Sequence, residues 1–310
     1  MSDTGATLEA YAAHLEARGR LVRVAGEPWM LANGRLMPVA PPHRMGAVDR
    51  QEVRRALRRS GAIAALWNDA WDTSPGPWWW VCCDDRQYDY PSVRSSRRSS
   101  VRKGLKLCEV RRVGIDELEQ LGYGVYQAAF ARYGPGAVPS SQEAYLAEIR
   151  RNAEYGGRET WGAFIGGQLA AYATCIVVED MVYVSAAKSD PGLLRSNPNE
   201  AVWFELTRHY LRDRQMAFVT DGARVLRHET NIQGFVETMG YRRVYCPLRL
   251  ETGSCVAAAI RLGARRWARM LGMGRWRRSL LERIEALDTA CGIARVCAAD
   301  FRQPEGSSTE

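Results

Sequence analysis

The chain has 310 residues, of which 46% are hydrophobic and 25% charged, a composition that can bury a core over a length suited to about two domains. No apolar run approaches the ~18–20 residues of a membrane-spanning helix, and the polar opening MSDTGATLEAYAAHLEARGR lacks the apolar centre of a secretory signal. The expected compartment is therefore the cytoplasm. The net charge of +8 is carried by arginine far more than by lysine, which points to RNA, a phosphorylated ligand or an acidic carrier, unless the arginines only solvate the surface. Eight cysteines without a CxxC pair, and four histidines at unrelated spacings, predict no metal site.

In chain order, residues 4–18 carry Leu8, Tyr11, Ala12 and Leu15 at helical spacing, with residues 2–4 as caps. Asn33-Gly34 between two apolar runs predicts a hairpin. Asp49 caps a short basic helix to Arg59. Residues 62–67 and 78–83 read as buried strands, with Trp78, Trp79 and Trp80 as core rather than a stacking platform. Residues 1–90 thus form a small α+β unit. Residues 91–107 follow as a basic, serine-rich segment, helical in its second half. Its charges at i, i+4 spacing lie along one helix face.

From residue 108 the order is regular. A strand covers 108–113. Asp116 caps a helix to Tyr133, broken near Gly122–Gly124, and a capping box from Ser140 to Glu143 starts a second helix. Strands at 160–165, 168–178 and 181–188 are joined by Gly166-Gly167 and Glu179-Asp180. A helix at 199–212, a strand at 217–221, a helix at 229–239 and a strand at 241–250 complete the series. Residues 251–300 read as helices with a basic face that includes Arg261, Arg265 and Arg266, and residues 301–310 as a disordered tail.

The order β-α-α-β-β-β-α-β-α-β over residues 108–250, the hairpin WGAFIGGQLAAY and the helix-ending Gly-aromatic pair in NIQGFVETMGY resemble the GNAT acyltransferase fold. The predicted fold class is α+β with a mixed central sheet, a small N-terminal α+β unit and C-terminal helices. The segments RSSVRKGLK and VTDGARVLRHETNIQGFVETMGYRRVYCPL bring the chain nearer the FemAB-like branch. In that branch the first ninety residues would correspond at most to a truncated GNAT-like half.

The resemblance implies an amide-forming transferase acting where the fourth and fifth strands of that fold part. Such chemistry needs a base, oxyanion donors and protonation of the leaving group. The candidate catalytic residues are Asp221, His228 and Lys188. Each has a plainer reading: a turn aspartate before Gly222, a capping or packing histidine, and a strand-end lysine. Tyr183, Ser185, Arg224, Thr230, Asn231 and Gln233 are the candidates for binding substrate. Arg195, Asn197, Asn199, Arg98, Arg102, Lys103 and Lys106 are those for the donor or its phosphates.

The acyl-CoA form of the fold also implies a glycine loop after the fourth strand and a tyrosine four residues before the helix-ending glycine. Here SDPGLLRSNPNEAVW has only Gly192, Pro198 removes an amide donor, Glu200 adds a repelling charge to the first turn, and Val236 fills the tyrosine slot. No covalently bound cofactor is expected. The donor would be aminoacyl-tRNA ahead of acyl-CoA, with an acyl-carrier protein third. The acceptor would be an amine of a small molecule or peptide, and neither DNA nor a membrane is an expected partner. An inactive GNAT-like module that binds RNA or a protein is the reading from a different class.

Overall fold

The computed structural model describes residues 6–133, 137–225, 232–253, 287 and 289–297. Of the expectations above, His228, Thr230, Asn231, the arginines between 261 and 278 and the tail at 301–310 lie outside the described residues. The elements, in chain order, are α1 (Leu8–Ala17), β1 (Leu21–Val24), β2 (Glu27–Ala32), β3 (Arg35–Pro38), α2 (Arg50–Ser60), β4 (Ala64–Asn68), β5 (Trp79–Cys83), α3 (Ser95–Leu107), β6 (Glu109–Val113), α4 (Ile115–Ala129), α5 (Gln142–Ala153), β7 (Arg158–Ile165), β8 (Gln168–Val178), β9 (Met181–Ser189), α6 (Pro198–Arg208), β10 (Phe218–Ala223), α7 (Ile232–Thr238), β11 (Arg242–Tyr245) and β12 (Leu248–Thr252).

The chain divides into a larger unit of residues 1–14, 80–222 and 228–243, and a smaller one of residues 15–79, 223–227 and 244–310.

The smaller unit is built on a five-stranded sheet of order β1-β2-β3-β4-β12. Asn33 and Gly34 both adopt positive φ, 52° and 73°, the geometry of a tight two-residue hairpin between β2 and β3. Ala25-Gly26 does the same between β1 and β2, a hairpin not expected from the sequence. The Asp49 side chain accepts the Gln51 N–H, so α2 starts where expected and ends at left-handed Gly61. Its inner face, Val53, Ala56 and Leu57, is buried against Val24, Trp29, Leu36 and Trp67.

In the larger unit a seven-stranded sheet has the order β11-β5-β10-β9-β8-β7-β6. From β6 to β11 the elements follow the predicted β-α-α-β-β-β-α-β-α-β order. Gly166 and Gly167, at φ 56° and 84°, close the β7–β8 hairpin. β8 is buried from Leu169 onward, which is why it reads as a continuous apolar run. The Gly-aromatic pair has a packing cause. A Cβ at Gly240 (φ 97°) would stand 2.7 Å from the Ser92 carbonyl oxygen, and Tyr241 is buried with its hydroxyl 2.8 Å from Thr207 Oγ1. At the far side Glu159 is buried and accepts from Tyr210 at 2.6 Å and Arg214 at 2.8 Å, beside a π-helical turn at His209–Asp213.

Several local expectations are corrected. α3 is helical from Ser95, including its serine-rich first half. α4 runs unbroken through Gly122 and Gly124, and its cap is Gly114 rather than Asp116. At Gly122 a Cβ would lie 2.4 Å from the Tyr145 hydroxyl, so the glycine admits α5 closely instead of breaking α4. Ser141, not Ser140, caps α5, accepting from Ala144 N–H, while the Ser140 N–H donates to the Tyr126 hydroxyl. The single strand expected at 241–250 is two, interrupted at Cys246-Pro247 and assigned to different sheets.

Candidate active site

Parallel strands β9 and β10 pair only at Phe218 with Met181, Val219 with Val182 and Thr220 with Tyr183, whereas β9 stays paired with β8 as far as Ser189. Ser185 is an extra residue in β9: Val184 faces Cys175, Ala186 faces Thr174, and the Ser185 hydroxyl donates to the Thr174 carbonyl at 3.0 Å. Such a bulge bends a strand and raises its twist, so β9 and β10 part beyond Tyr183.

Asp221 stands at the mouth of this opening, one residue past the last pair. The Thr220 hydroxyl fixes the strand end, donating to the Val81 carbonyl and accepting from Gly222 N–H, each at 2.8 Å. Gly222 has φ +101°, and a Cβ there would meet Tyr183 Cε2 at 3.0 Å, so only glycine lets the Tyr183 ring cover the turn. Asp221 is half-buried, and burial alone lifts its carboxyl from 3.8 to about 7. Burial, and then the Asp221 charge, push the Tyr183 hydroxyl upward as well.

Lys188 lies further along β9. Its ammonium donates to the Tyr133 hydroxyl at 2.7 Å and sits 4.9 Å and 5.5 Å from the Tyr133 and Phe130 ring centres. These rings continue a stripe of Tyr123, Tyr126 and Phe130 on one side of α4, with Tyr145 against it. This wall was not among the expected site residues, although 123, 126, 130 and 133 share a helix face. Five residues of strand separate Lys188 from Tyr183, roughly 15 Å at the usual rise. Lys188 therefore starts further along β9 than Tyr183, and its contacts are with Tyr133 and Phe130.

Beyond β9 the Asp190 carboxylate accepts the Gly192 N–H at 2.8 Å, taking the amide that a phosphate would need. Asn197 adopts a left-handed conformation (φ 56°, ψ 46°) and leads into α6 without a side-chain cap. Asn199 donates to Ser189 Oγ at 3.2 Å, and Arg195 is exposed. Glu200 does not act as the expected repelling charge: it is buried and receives Arg97 at 3.1 Å. Gly104 sets that contact between α3 and α6, because a Cβ there would lie 2.5 Å from the Asn197 carbonyl oxygen.

On α3, Arg98 donates to the Val93 and Pro91 carbonyls at 2.8 Å and 2.7 Å, and Arg102 stands over the Tyr90 ring. Arg102, Lys103 and Lys106 are exposed. Gln233 is half-buried on α7. Arg224 belongs to the smaller unit, where it caps the Pro77 carbonyl and stacks 4.4 Å from the Trp79 ring centre. Tyr183, Ser185 and Asp221 thus gather at the β9–β10 opening, Lys188 at the aromatic wall, and the α6 and α3 groups form a separate polar rim. Among the described residues no cluster of three or more His, Cys, Asp or Glu suits a metal ion, and no helix is long and apolar enough to cross a membrane.

No protein-family model and no curated protein sequence matches the chain. Solved structures do. The C-terminal domain of a protein described as a lysylphosphatidylglycerol synthetase from Agrobacterium fabrum superposes with a TM-score of 0.51 at 10% identity, over 80% of this chain and 90% of that one. The corresponding values are 0.47, 10%, 80% and 91% for L-PGS from Bacillus licheniformis, and 0.46, 10%, 77% and 75% for FemX. The chain has a mixed α+β fold of the GNAT type.

Proposed function

We propose that this chain is a transferase that forms an amide by moving an aminoacyl or acyl group from an activated donor, aminoacyl-tRNA foremost, to an amine of a small molecule or peptide. The observation that carries this reading is the place of Asp221, on β10 one residue past its last pair with β9, where burial pushes the carboxyl up to about 7. With its carboxyl pushed up to about 7, Asp221 is about half ionised at neutral pH and basic enough to take the proton from the acceptor nitrogen as the attacking amine becomes cationic. In the step envisaged, the acceptor nitrogen bonds to the donor carbonyl carbon, its proton passes to Asp221, and the ester C–O bond to the terminal ribose breaks. The ribose hydroxyl then recovers the proton. Beyond Tyr183 the edge of β9 that faces away from β8 is no longer paired with β10, and peptide N–H groups there would serve the developing oxyanion.

Lys188, whose ammonium is held by Tyr133 and Phe130, is assigned to positioning the acceptor against the aromatic wall. Arg102, Lys103 and Lys106 supply an exposed basic face for the donor's phosphates, with Arg195, Asn197 and Asn199 at the α6 rim. The Asp190 carboxylate on Gly192 N–H speaks against a CoA pyrophosphate. One observation favours a CoA- or carrier-dependent acyltransferase as the second reading: the α6 N-terminus has no side-chain cap, and such a terminus attracts anions. His228, Thr230 and Asn231 remain candidates from the sequence. Competition between labelled tRNA and CoA for the full chain tests the donor. Tight CoA binding without RNA affinity reverses the order.

A further inference from the structure

The most regular charged surface outside the candidate site is the outer face of α2 in the smaller unit. Arg50, Arg54 and Arg58 recur at i, i+4 and i+8, so they form one row spanning about 12 Å along the helix. Three like charges in a row repel, and the fold offsets that at one end. Glu251 of β12, only 10% exposed, receives Arg50 Nε at 2.8 Å and Arg54 Nε at 3.1 Å. One carboxylate therefore holds two guanidinium groups side by side and leaves the pair net positive. Both remain more than half exposed, at 58% and 56%, with further N–H donors turned away from Glu251. Arg58, next on the row, has no ion-pair partner among the described residues and is exposed.

The helix beneath the row decides which anionic partner fits. Val53, Ala56 and Leu57 are buried in the unit's own core, so α2 has no apolar side free to enter a lipid surface. With that half packed on a sheet, α2 presents only its charged outer face, whose arginines suit backbone phosphates rather than base edges. What remains is a flat, preorganised line of forked donors, which suits phosphates reached from a shallow side, as RNA presents them.

We propose that the Arg50–Arg54–Arg58 row on α2, braced by Glu251, is a contact site for an RNA phosphodiester backbone. It is sequence-independent and distinct from the α3 face assigned to the donor. Binding at this row requires no transfer activity. It shares with the proposed function only the expectation that RNA is a partner, and it is read by binding alone.

The test is fluorescence anisotropy of the full chain with end-labelled total tRNA at several salt concentrations between about 50 and about 200 mM. Each phosphate neutralised contributes ~0.7–0.9 to the slope of log affinity against log salt. Arg58→Ala should lower the slope by about one. Arg50→Ala with Arg54→Ala and Glu251→Gln, a combination that leaves no orphaned carboxylate, should lower it by about two. Circular dichroism establishes that each variant is folded, and Arg58→Ala removes no ion pair that the fold uses. Unchanged slopes in both variants overturn the proposal. So does tighter binding of wild type to a DNA duplex or to phosphatidylglycerol vesicles than to tRNA.

Discussion

Replacing Asp221 by asparagine removes a carboxyl that the fold keeps partly out of water, with no ion-pair partner among the described residues. Burial raises its pKa from 3.8 to about 7, and each tenfold gain in proton affinity corresponds to ~1.4 kcal/mol. Between those values the unfolded chain has released the proton while the folded chain still holds it, so stability falls as the pH rises through this window. Below 3.8 both states are protonated and the penalty vanishes; above about 7 it is complete, at ~4 kcal/mol. Asp221→Asn should therefore be more stable than wild type, by about 1–2 kcal/mol near pH 5 and ~4 kcal/mol near pH 8. Urea unfolding of both proteins at the two pH values, followed by tryptophan fluorescence, measures the difference. A gap that does not widen with pH, or a variant less stable at both, refutes the assignment of Asp221 as a carboxyl raised by burial.

Gly222→Ala should cost ~1–3 kcal/mol, because φ +101° strains any side chain and the new Cβ meets Tyr183. It should also depress transfer by displacing Tyr183; a variant of normal stability and rate contradicts the packing described. Tyr210→Phe removes the hydroxyl that links buried Glu159 at 2.6 Å to Trp161 Nε1 at 3.1 Å, for an expected loss of ~1–3 kcal/mol in the same urea assay. Lys188→Met keeps the side-chain stem over Phe130 and Tyr133 while removing the charge. Its KM for the acceptor should rise by about tenfold with kcat little changed, since a hydrogen bond to a charged group is worth ~1.5–3 kcal/mol. A fall in kcat at constant KM would instead put Lys188 at the reacting atoms.

The parts of the fold legible in the sequence are those with local causes. Asn33-Gly34 and Gly166-Gly167 are turns because their own backbones take positive φ, as Gly240 does at the end of α7. What the sequence did not disclose rests on distant partners. Glu200 looks like an exposed charge at a helix start until Arg97, 103 residues earlier, is found beside it. Gly122 looks like a helix break until Tyr145 fills the space above it. The split at Cys246-Pro247 follows from two sheets taking up adjacent strands, β11 in one and β12 in the other, which no local pattern announces. At the candidate site, Asp221 was identifiable as a carboxylate after a strand, but its elevated pKa depends on burial. Lys188 was identifiable as a charge, while its seat on Tyr133 and Phe130 depends on how β9 meets the turn that follows α4.

The measurement that bears most directly on the central claim is a single-turnover reaction of the full chain with radiolabelled aminoacyl-tRNA and a panel of small amines and peptides. Label that survives mild base distinguishes an amide product from the labile ester donor. Wild type should convert label to base-stable product at a rate that rises with pH through about 7, as Asp221 ionises, and Asp221→Asn should abolish that dependence and slow transfer by ~100-fold or more. Base-stable product formed only from acyl-CoA, or equal rates for wild type and Asp221→Asn, would contradict it.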